Sequence, residues 1–381
     1  MSRRPTRVLA LSAAAVTAVT LSACASSDRD SEGEGAEQTG GTFVFGAPGD
    51  PAMFDPAFAT DGESFRITRQ LYDGLLTTKA GSADIEPALA EDYAVSDDGL
   101  EYTFTLREGV TFTDGTDFNA EAVCFNFDRW YNFEGMAATP AASEYYQNVF
   151  GGFASTPDVP SLYESCEATD ESTAVITITQ VTSRFPAALT LPSFAMQSPT
   201  ALEEYDANNL SGSEDALTYP AYATDHPTGT GPFKFDKWER GQQVSLVPNE
   251  DYWGDKAKLD SVIIRTIEDG NARKQALQNG EIDGYDLVAP GDLKSLEDGG
   301  FQIENRPAFN ILYLGINQAV PQLADVRVRQ AIAHAIDKEA VVSQSLPEGT
   351  VVATQPSSKP LSPDTVCGGP CDGTLNGVVR F

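Results

Sequence analysis

Basic and histidine side chains are scarce in this sequence of 381 residues. The chain has 25 Lys and Arg against 56 Asp and Glu, a formal net charge of −31, and only two histidines, His226 and His334. So acidic a surface repels phosphate backbones and anionic lipid headgroups, which argues against a nucleic-acid partner and against adhesion to an anionic membrane. Neither histidine lies near the last two cysteines, so no zinc site is expected. We interpret the acidity as the solvated surface of an extracytoplasmic protein without a metal or cofactor.

Long apolar segments are also missing beyond the N-terminus, where no run approaches the 18 residues of a membrane-spanning helix. At the N-terminus itself, Arg3, Arg4 and Arg7 precede the 14 uncharged residues Val8–Leu21. Small residues follow. A basic start, an apolar core and small residues at the cut are typical of a secretory signal peptide. We therefore predict a signal peptide over residues 1–23.

Cys24 follows Leu21-Ser22-Ala23, and this motif resembles the lipobox of bacterial lipoproteins, where the thiol is acylated and becomes the new N-terminus. The alternative is a transmembrane anchor, because the uncharged run extends for 20 residues, to Ser27. Its abundance of Ala, Ser and Thr, which partition weakly into lipid, favours the lipoprotein. We expect a chain held by lipid on Cys24 at the outer face of the cell membrane, on the periplasmic side.

The segment after the lipidation site, residues 24–40, differs sharply in composition. It contains five acids, one arginine and no aromatic residue. Such a segment cannot bury enough apolar surface to fold, so we expect a solvated tether. The roughly 340 residues that follow are enough for two domains.

Four cysteines remain once Cys24 is assigned to lipid. Export permits disulfides. Cys124 and Cys166 are the candidate structural pair, because both lie in sequence with a clear folding pattern. Cys367 and Cys371 lie in a tail rich in Gly and Pro.

Predicted strands alternate with predicted helices along the body of the chain, which indicates an α/β protein. Asn119 is predicted to cap one helix, and Val110–Phe112 is predicted to pair with the strand before it. The predicted strands are Thr42–Phe45, Glu101–Leu106, Thr173–Thr179, Phe233–Trp238, Gln243–Val247, Ser261–Ile267, Ile282–Val288 and Phe309–Ile316. The predicted helices are Ser64–Thr77, Asn119–Trp130, Asn271–Asn279 and Val326–Ser343.

A series of short motifs runs in order from about Gly41 to Leu346. They include Phe54-Asp55-Pro56, Tyr72-Asp73-Gly74-Leu75, Glu86-Pro87-Ala88-Leu89-Ala90, Tyr102–Val110, Gly229-Thr230-Gly231-Pro232-Phe233, Tyr252-Trp253, Gly280-Glu281-Ile282-Asp283 and Asp325–Ala331. Together they resemble the family 5 extracellular solute-binding proteins, the oligopeptide-, dipeptide- and nickel-binding components of ABC importers. One motif alone would be weak, but the ordered set is highly specific.

The resemblance implies an α/β, periplasmic-binding-protein-like fold of the large peptide-binding type, in which two lobes close around a solute. The first lobe would span residues 41–284, with an inserted subdomain at about 78–180. The second lobe would begin at residues 285–355 and would be incomplete. The tail, residues 356–381, matches no family pattern, which suggests a truncated or frameshifted reading. We accordingly predict weak or absent solute binding by this chain.

The function implied by the resemblance is capture of oligopeptides or dipeptides outside the membrane and delivery to an ABC permease and its ATPase subunits, by a monomer. The alternatives are a non-transport envelope lipoprotein, acting as a sensor or scaffold, or an inactive fragment. Nickel is disfavoured as the solute because histidine is scarce. An enzyme is not expected, since the sequence has no GxSxG, HExxH or Walker lysine motif.

Five residues are candidate ligand contacts by the same resemblance. Thr60 and Gly62 occupy positions that contact peptide backbone in oligopeptide-binding relatives, although they could form an ordinary surface loop. Tyr145 and Tyr146 lie where relatives place an aromatic ring beside the ligand, or else they pack the subdomain. Phe45, at the end of the first strand, would line the cleft or belong to the core.

Overall fold

The computed structural model describes residues 39–304, 312–346 and 350–353. The strands are β1 (Thr42–Ala47), β2 (Leu76–Thr78), β3 (Ile85–Pro87), β4 (Ala90–Val95), β5 (Glu101–Leu106), β6 (Tyr163–Asp170), β7 (Thr173–Ile178), β8 (Ser211–Ser213), β9 (Ala216–Thr218), β10 (Phe233–Glu239), β11 (Gln243–Pro248), β12 (Ser261–Thr266) and β13 (Gly284–Tyr285). The helices are α1 (Gly62–Leu71), α2 (Ala120–Tyr131), α3 (Glu144–Phe150), α4 (Phe185–Ala188), α5 (Pro199–Glu204), α6 (Gly270–Gln278), α7 (Pro290–Asp298), α8 (Pro321–Ala324), α9 (Val326–Ala335) and α10 (Lys338–Ser345). In this described part of the chain, no helix combines the length and apolarity that crossing a bilayer requires.

The central sheet contains five strands in the order β10-β11-β12-β1-β13. Strand β1 runs parallel to both of its neighbours, so that Phe45 lies opposite Ile264 on one side and Gly284 on the other. Strands β10 and β11 match the two strands predicted at Phe233–Trp238 and Gln243–Val247, and they pair antiparallel as a hairpin. Strands β12 and β13 flank β1 and are connected through α6, which makes this layer an α/β structure.

A second sheet contains four strands in the order β4-β5-β7-β6, all antiparallel to their neighbours. Helix α2 begins after Asn119, whose side chain accepts a hydrogen bond from the backbone N–H of Ala122, as the sequence predicted. A disulfide joins Cys124 on α2 to Cys166 on β6, the pair that the sequence singled out. This sheet and α2 enclose a core rich in aromatic rings, of which Trp130 is the largest fully buried side chain.

Two predicted elements near these sheets are wrong. The first predicted helix ends at Leu71 and not at Thr77, because Tyr72 adopts an extended backbone and Leu76 pairs in β2. Gly74 lies so close to two carbonyl oxygens, those of Leu76 and Leu189, that an added Cβ would clash with them. Val110–Phe112 does not pair with β5, since β4 and β7 already occupy both edges of that strand.

The region after residue 312 also differs from prediction. The single helix expected over Val326–Ser343 is divided into α9 and α10, because Asp337 caps a new helix through the backbone N–H of Ala340. Neither α9 nor α10 has a buried residue. The strand predicted over Phe309–Ile316 lies partly outside the described residues, and its described part, 312–316, is not a strand.

Candidate functional site

The candidate site lies where β1 and β13 end and α1 begins. Ligands of open α/β sheets bind at the carboxyl ends of parallel strands, so a ligand site is expected at this edge. The loop 48–61 connects β1 to α1 across it. Asp61 caps α1 by accepting hydrogen bonds from the backbone N–H groups of Glu63 and Ser64.

The loop between β1 and α1 is held firmly by polar side chains. Asp50 accepts hydrogen bonds from the indole Nε1 of Trp238 at 3.1 Å and from the backbone N–H of Gly241 at 2.9 Å. Asp55 is fully buried and pairs with Arg129 of α2, with 2.6 Å between Oδ2 and Nη2. The loop is therefore anchored both to the β10–β11 hairpin and to α2.

Arg66 of α1 is the central charge at this edge. Its Nη2 lies 2.7 Å from Oδ2 of Asp286, just after β13, and its Nε lies 3.0 Å from Oε2 of Glu63. The guanidinium also lies over the ring of Phe45, 4.7 Å from the ring centroid. One side chain thus links α1, β1 and the segment that follows β13.

The charge of Arg66 is stabilised by its partners. Burial alone would lower the pKa of the guanidinium, but the hydrogen bonds with Glu63 and Asp286 outweigh this effect and raise the pKa. Arg66 therefore stays protonated at every physiological pH. With Glu63, Asp286 and the capping Asp61 close by, the edge carries more negative than positive charge.

The predicted contact residues differ in their burial and in their position relative to this edge. Phe45 is half-buried beneath Arg66, so it contributes to the surface of the site and does not belong wholly to the core. Thr60 is exposed, and Gly62, also exposed, is the first residue of α1. These three residues lie on one connected stretch of chain, β1 to α1.

The two tyrosines differ in position. Tyr146 is only 3% exposed and stacks between Phe150 and Phe153, so it belongs to the core and not to the surface. Tyr145 is half-buried and meets the ring of Phe65 edge to face, with 5.5 Å between centroids. Phe65 is the neighbour of Arg66 on α1. Tyr145 is therefore the member of the pair that lies next to the site helix.

Three of the recognised motifs meet at a different place. Asp73 accepts hydrogen bonds at Oδ2 from Thr230 and from the indole Nε1 of Trp253, at 3.0 and 2.8 Å. Burial raises the pKa of Asp73, although the hydrogen bonds from Trp253, Thr230 and Tyr252 lower it in part. These motifs therefore contribute to the structure and do not form a ligand site.

The sequence did not single out Arg66, Glu63 or Asp286. The spacing of Glu63 and Arg66, three positions apart on a predicted helix, was the available signal for an ion pair. Nothing local indicated Asp286, which lies 220 positions away from its partner. No cluster of three or more His, Cys, Asp or Glu suited to a metal ion occurs among the residues that the structure describes.

The geometry defines a class: an α/β binding protein whose polar and aromatic site lies at the carboxyl edge of its central strand. The model of the bacterial extracellular solute-binding proteins, family 5, matches residues 84–366. The chain belongs to this family. The match continues to residue 366, beyond the limit near Leu346 that the motifs suggested.

Relatives and solved structures agree with the family. The heme-binding protein A of Haemophilus influenzae is 32% identical over 81% of this chain and 55% of its own length. The periplasmic binding protein DppA of Helicobacter pylori, solved with the peptide STSA, superposes with a TM-score of 0.67 at 32% identity, over 80% of this chain and 58% of that one. AppA of Bacillus subtilis, solved with a nonapeptide, gives a TM-score of 0.68 at 29% identity, over 85% and 59%.

These matches establish the periplasmic-binding-protein fold. The chain spans between half and two thirds of the length of these relatives.

Proposed function

We propose that this protein is the peptide receptor of an ABC importer, which captures peptides outside the membrane and passes them to the permease and its ATPase subunits. It would do so by binding alone, as a monomer, without catalysis. The family to which the chain belongs consists of extracellular solute-binding proteins. Two of the similar structures contain bound peptides, which supports a peptide as the solute here.

One observation carries the proposal. Arg66 of α1 lies over the ring of Phe45 at the carboxyl edge of β1. Thr60 and Gly62, both exposed, lie at the end of the connection between these two elements, which the buried Asp55–Arg129 pair anchors. An aromatic ring and hydrogen-bonding groups on a rigid support suit a ligand with a repeated polar backbone. Tyr145, beside Phe65, would extend this surface.

As part of the same proposal, we divide the chain into two lobes and an inserted subdomain. The first lobe would be residues 41–284, with the inserted subdomain at about 78–180, and the second lobe would begin at 285–355. The separate antiparallel sheet formed by β4 to β7 supports the inserted subdomain. The ends of the chain, residues 1–23 and 356–381, lie outside the described residues.

The test of peptide binding is titration calorimetry of the purified chain with the tetrapeptide Ala-Ala-Ala-Ala, and with free alanine as the control. We expect binding of the peptide and not of the amino acid. Mass spectrometry of ligands released from the purified protein would identify the natural solute. Absence of any peptide from both measurements would contradict the proposal.

The lipid anchor at Cys24 is part of the proposal, although Cys24 lies outside the described residues. Its support is the basic and apolar leader that precedes the cysteine. Expression with labelled palmitate should label the wild type and leave C24A unlabelled, and C24A should no longer sediment with membranes. C124S is the matched control and should still be labelled.

A further inference from the structure

The hydrogen bonds of Arg66 leave one side of its guanidinium unused. Nε and Nη2 donate to Glu63, and Nη2 also donates to Asp286. Nη1 has no hydrogen-bond acceptor in the described part of the chain, and it is not among the buried atoms that lack a partner. Nη1 is therefore a charged donor available at the surface of the site.

The position of this donor is fixed before any ligand arrives. The ring of Phe45 supports the guanidinium from one face, and the two carboxylates hold its Nε–Nη2 edge. A planar guanidinium held in this way loses little conformational entropy when a further acceptor binds. The arrangement suits recognition of a ligand oxygen at one defined point.

The acidic side chains around Arg66 determine which kind of ligand oxygen its Nη1 can bind. The charge of Arg66 is already shared between Glu63 and Asp286, and Oδ1 of Asp286 is buried without a donor among the described residues, so its negative charge is only partly compensated. Asp61 adds another carboxylate at the start of α1. A ligand carboxylate at this point would be repelled, whereas a neutral amide carbonyl would not.

We propose that Arg66 is a specificity-determining residue that donates from Nη1 to a backbone carbonyl oxygen of the bound peptide. Glu63 and Asp286 exclude carboxylates from the same point, so the site takes peptides that place a neutral or cationic residue there. This inference rests on the proposed peptide-binding function and names its ligand class more closely.

The experiment is calorimetry of the whole chain with tetrapeptides based on Ala-Ala-Ala-Ala, in which Glu, Gln or Lys replaces each position in turn. The wild type should bind the Glu peptide about tenfold more weakly than the Gln peptide at one position, and the Lys peptide at least as well as the Gln peptide. R66M should weaken binding of every peptide by about tenfold or more, since a charged hydrogen bond is lost. The double variant E63Q/D286N keeps the hydrogen-bond acceptors and should remove the discrimination against Glu.

A matched control is available in Arg107, which lies over the ring of Trp253 at 4.5 Å. It follows β5 of the four-stranded sheet, and R107M should leave both affinity and discrimination unchanged. Circular dichroism melting of each variant identifies any that fails to fold.

Failure of the inference and failure of the function are distinguishable. If the wild type binds no peptide, the proposed function falls and this inference falls with it. If the wild type binds but R66M binds equally well, or the wild type accepts Glu at every position, the inference is overturned while the peptide-binding function stands.

Discussion

Two arginine–aspartate pairs hold the surroundings of β1, and they have nearly the same geometry. The Nη2–Oδ2 distance is 2.6 Å in Arg129–Asp55 and 2.7 Å in Arg66–Asp286. The side chains of the first pair are 2% and 0% exposed, whereas those of the second are 23% and 21% exposed. The first pair can only support the fold, and the second still faces solvent and can serve a ligand.

The largest effect is expected from breaking the buried pair. R129M would leave the carboxylate of Asp55 buried without its cation, at a cost of roughly 3–5 kcal/mol in the free energy of unfolding. Urea denaturation would measure this. Arg129 lies over the rings of Phe58 and Phe133. R107M is the matched control, because Arg107 lies over the ring of Trp253 but is partly exposed. A loss below about 1 kcal/mol for R129M would show that burial does not separate the two pairs.

The disulfide offers the next test, since it ties α2, which carries Arg129, to β6. The double variant C124S/C166S should lose about 2–4 kcal/mol, because the crosslink closes a loop of 42 residues in the unfolded chain. Chemical denaturation in the absence of reductant would show it. Reduced wild type should match the variant. Equal stability of oxidised and reduced wild type would contradict the prediction.

Asp73 is a buried acid with no ion-pair partner among the residues that the structure describes, and so it provides a third comparison. Its pKa is raised by burial, so its contribution to stability is present below the unfolded value of 3.8 and is lost as the pH rises through the folded value. In D73N the Asn side chain can still accept the hydrogen bonds from Thr230 and Trp253. Because it does not ionise, its contribution to stability does not fall as the pH rises. The stability of D73N relative to the wild type should therefore increase as the pH rises above 4.

Thermal melting across pH 3–7 would measure this difference. D98N is the control of opposite sign, because the pKa of the exposed Asp98 is lowered by its hydrogen bond from Ser96. The contribution of Asp98 to stability is present above the unfolded value of 3.8 and is lost as the pH falls through the folded value. A constant difference between D73N and the wild type over this interval would refute the prediction.

The smallest effect on stability is expected from the partly exposed Arg66–Asp286 pair. R66M should change the free energy of unfolding by less than about 1 kcal/mol, because partly solvated ion pairs contribute little. Its effect on peptide affinity should be much larger than its effect on melting. If R66M lost as much stability as R129M, the two pairs would not differ in their contribution to the free energy of unfolding.

Local patterns predicted the elements that depend on local causes. Glu101–Leu106 alternates cleanly and is β5, and Asn119 caps α2 as its position suggested. The end of α1 was mispredicted because apolar residues continue at helical spacing past Leu71 into β2, and only the extended Tyr72 and the close packing of Gly74 stop the helix. That packing involves Leu189, which no local pattern reveals.

The candidate site was predicted only in part for the same reason. Phe45, Thr60 and Gly62 lie on one stretch of sequence that the family resemblance singled out. The Arg66–Asp286 pair joins residues 220 positions apart, and its geometry depends on β13 pairing beside β1. The resemblance could not separate Tyr145 from Tyr146 either, because their difference is one of burial within α3.

The position of β1 between two strands also affects when the sheet can form during synthesis of the chain. Thr42 pairs with Ser261, and Phe45 pairs with Gly284, so the strand that is made early waits for neighbours made more than 200 residues later. At a synthesis rate of about 5–20 residues per second, this delay lasts roughly 10–50 seconds. During that interval the β1 segment has neither of its partners and is open to a chaperone or an export factor.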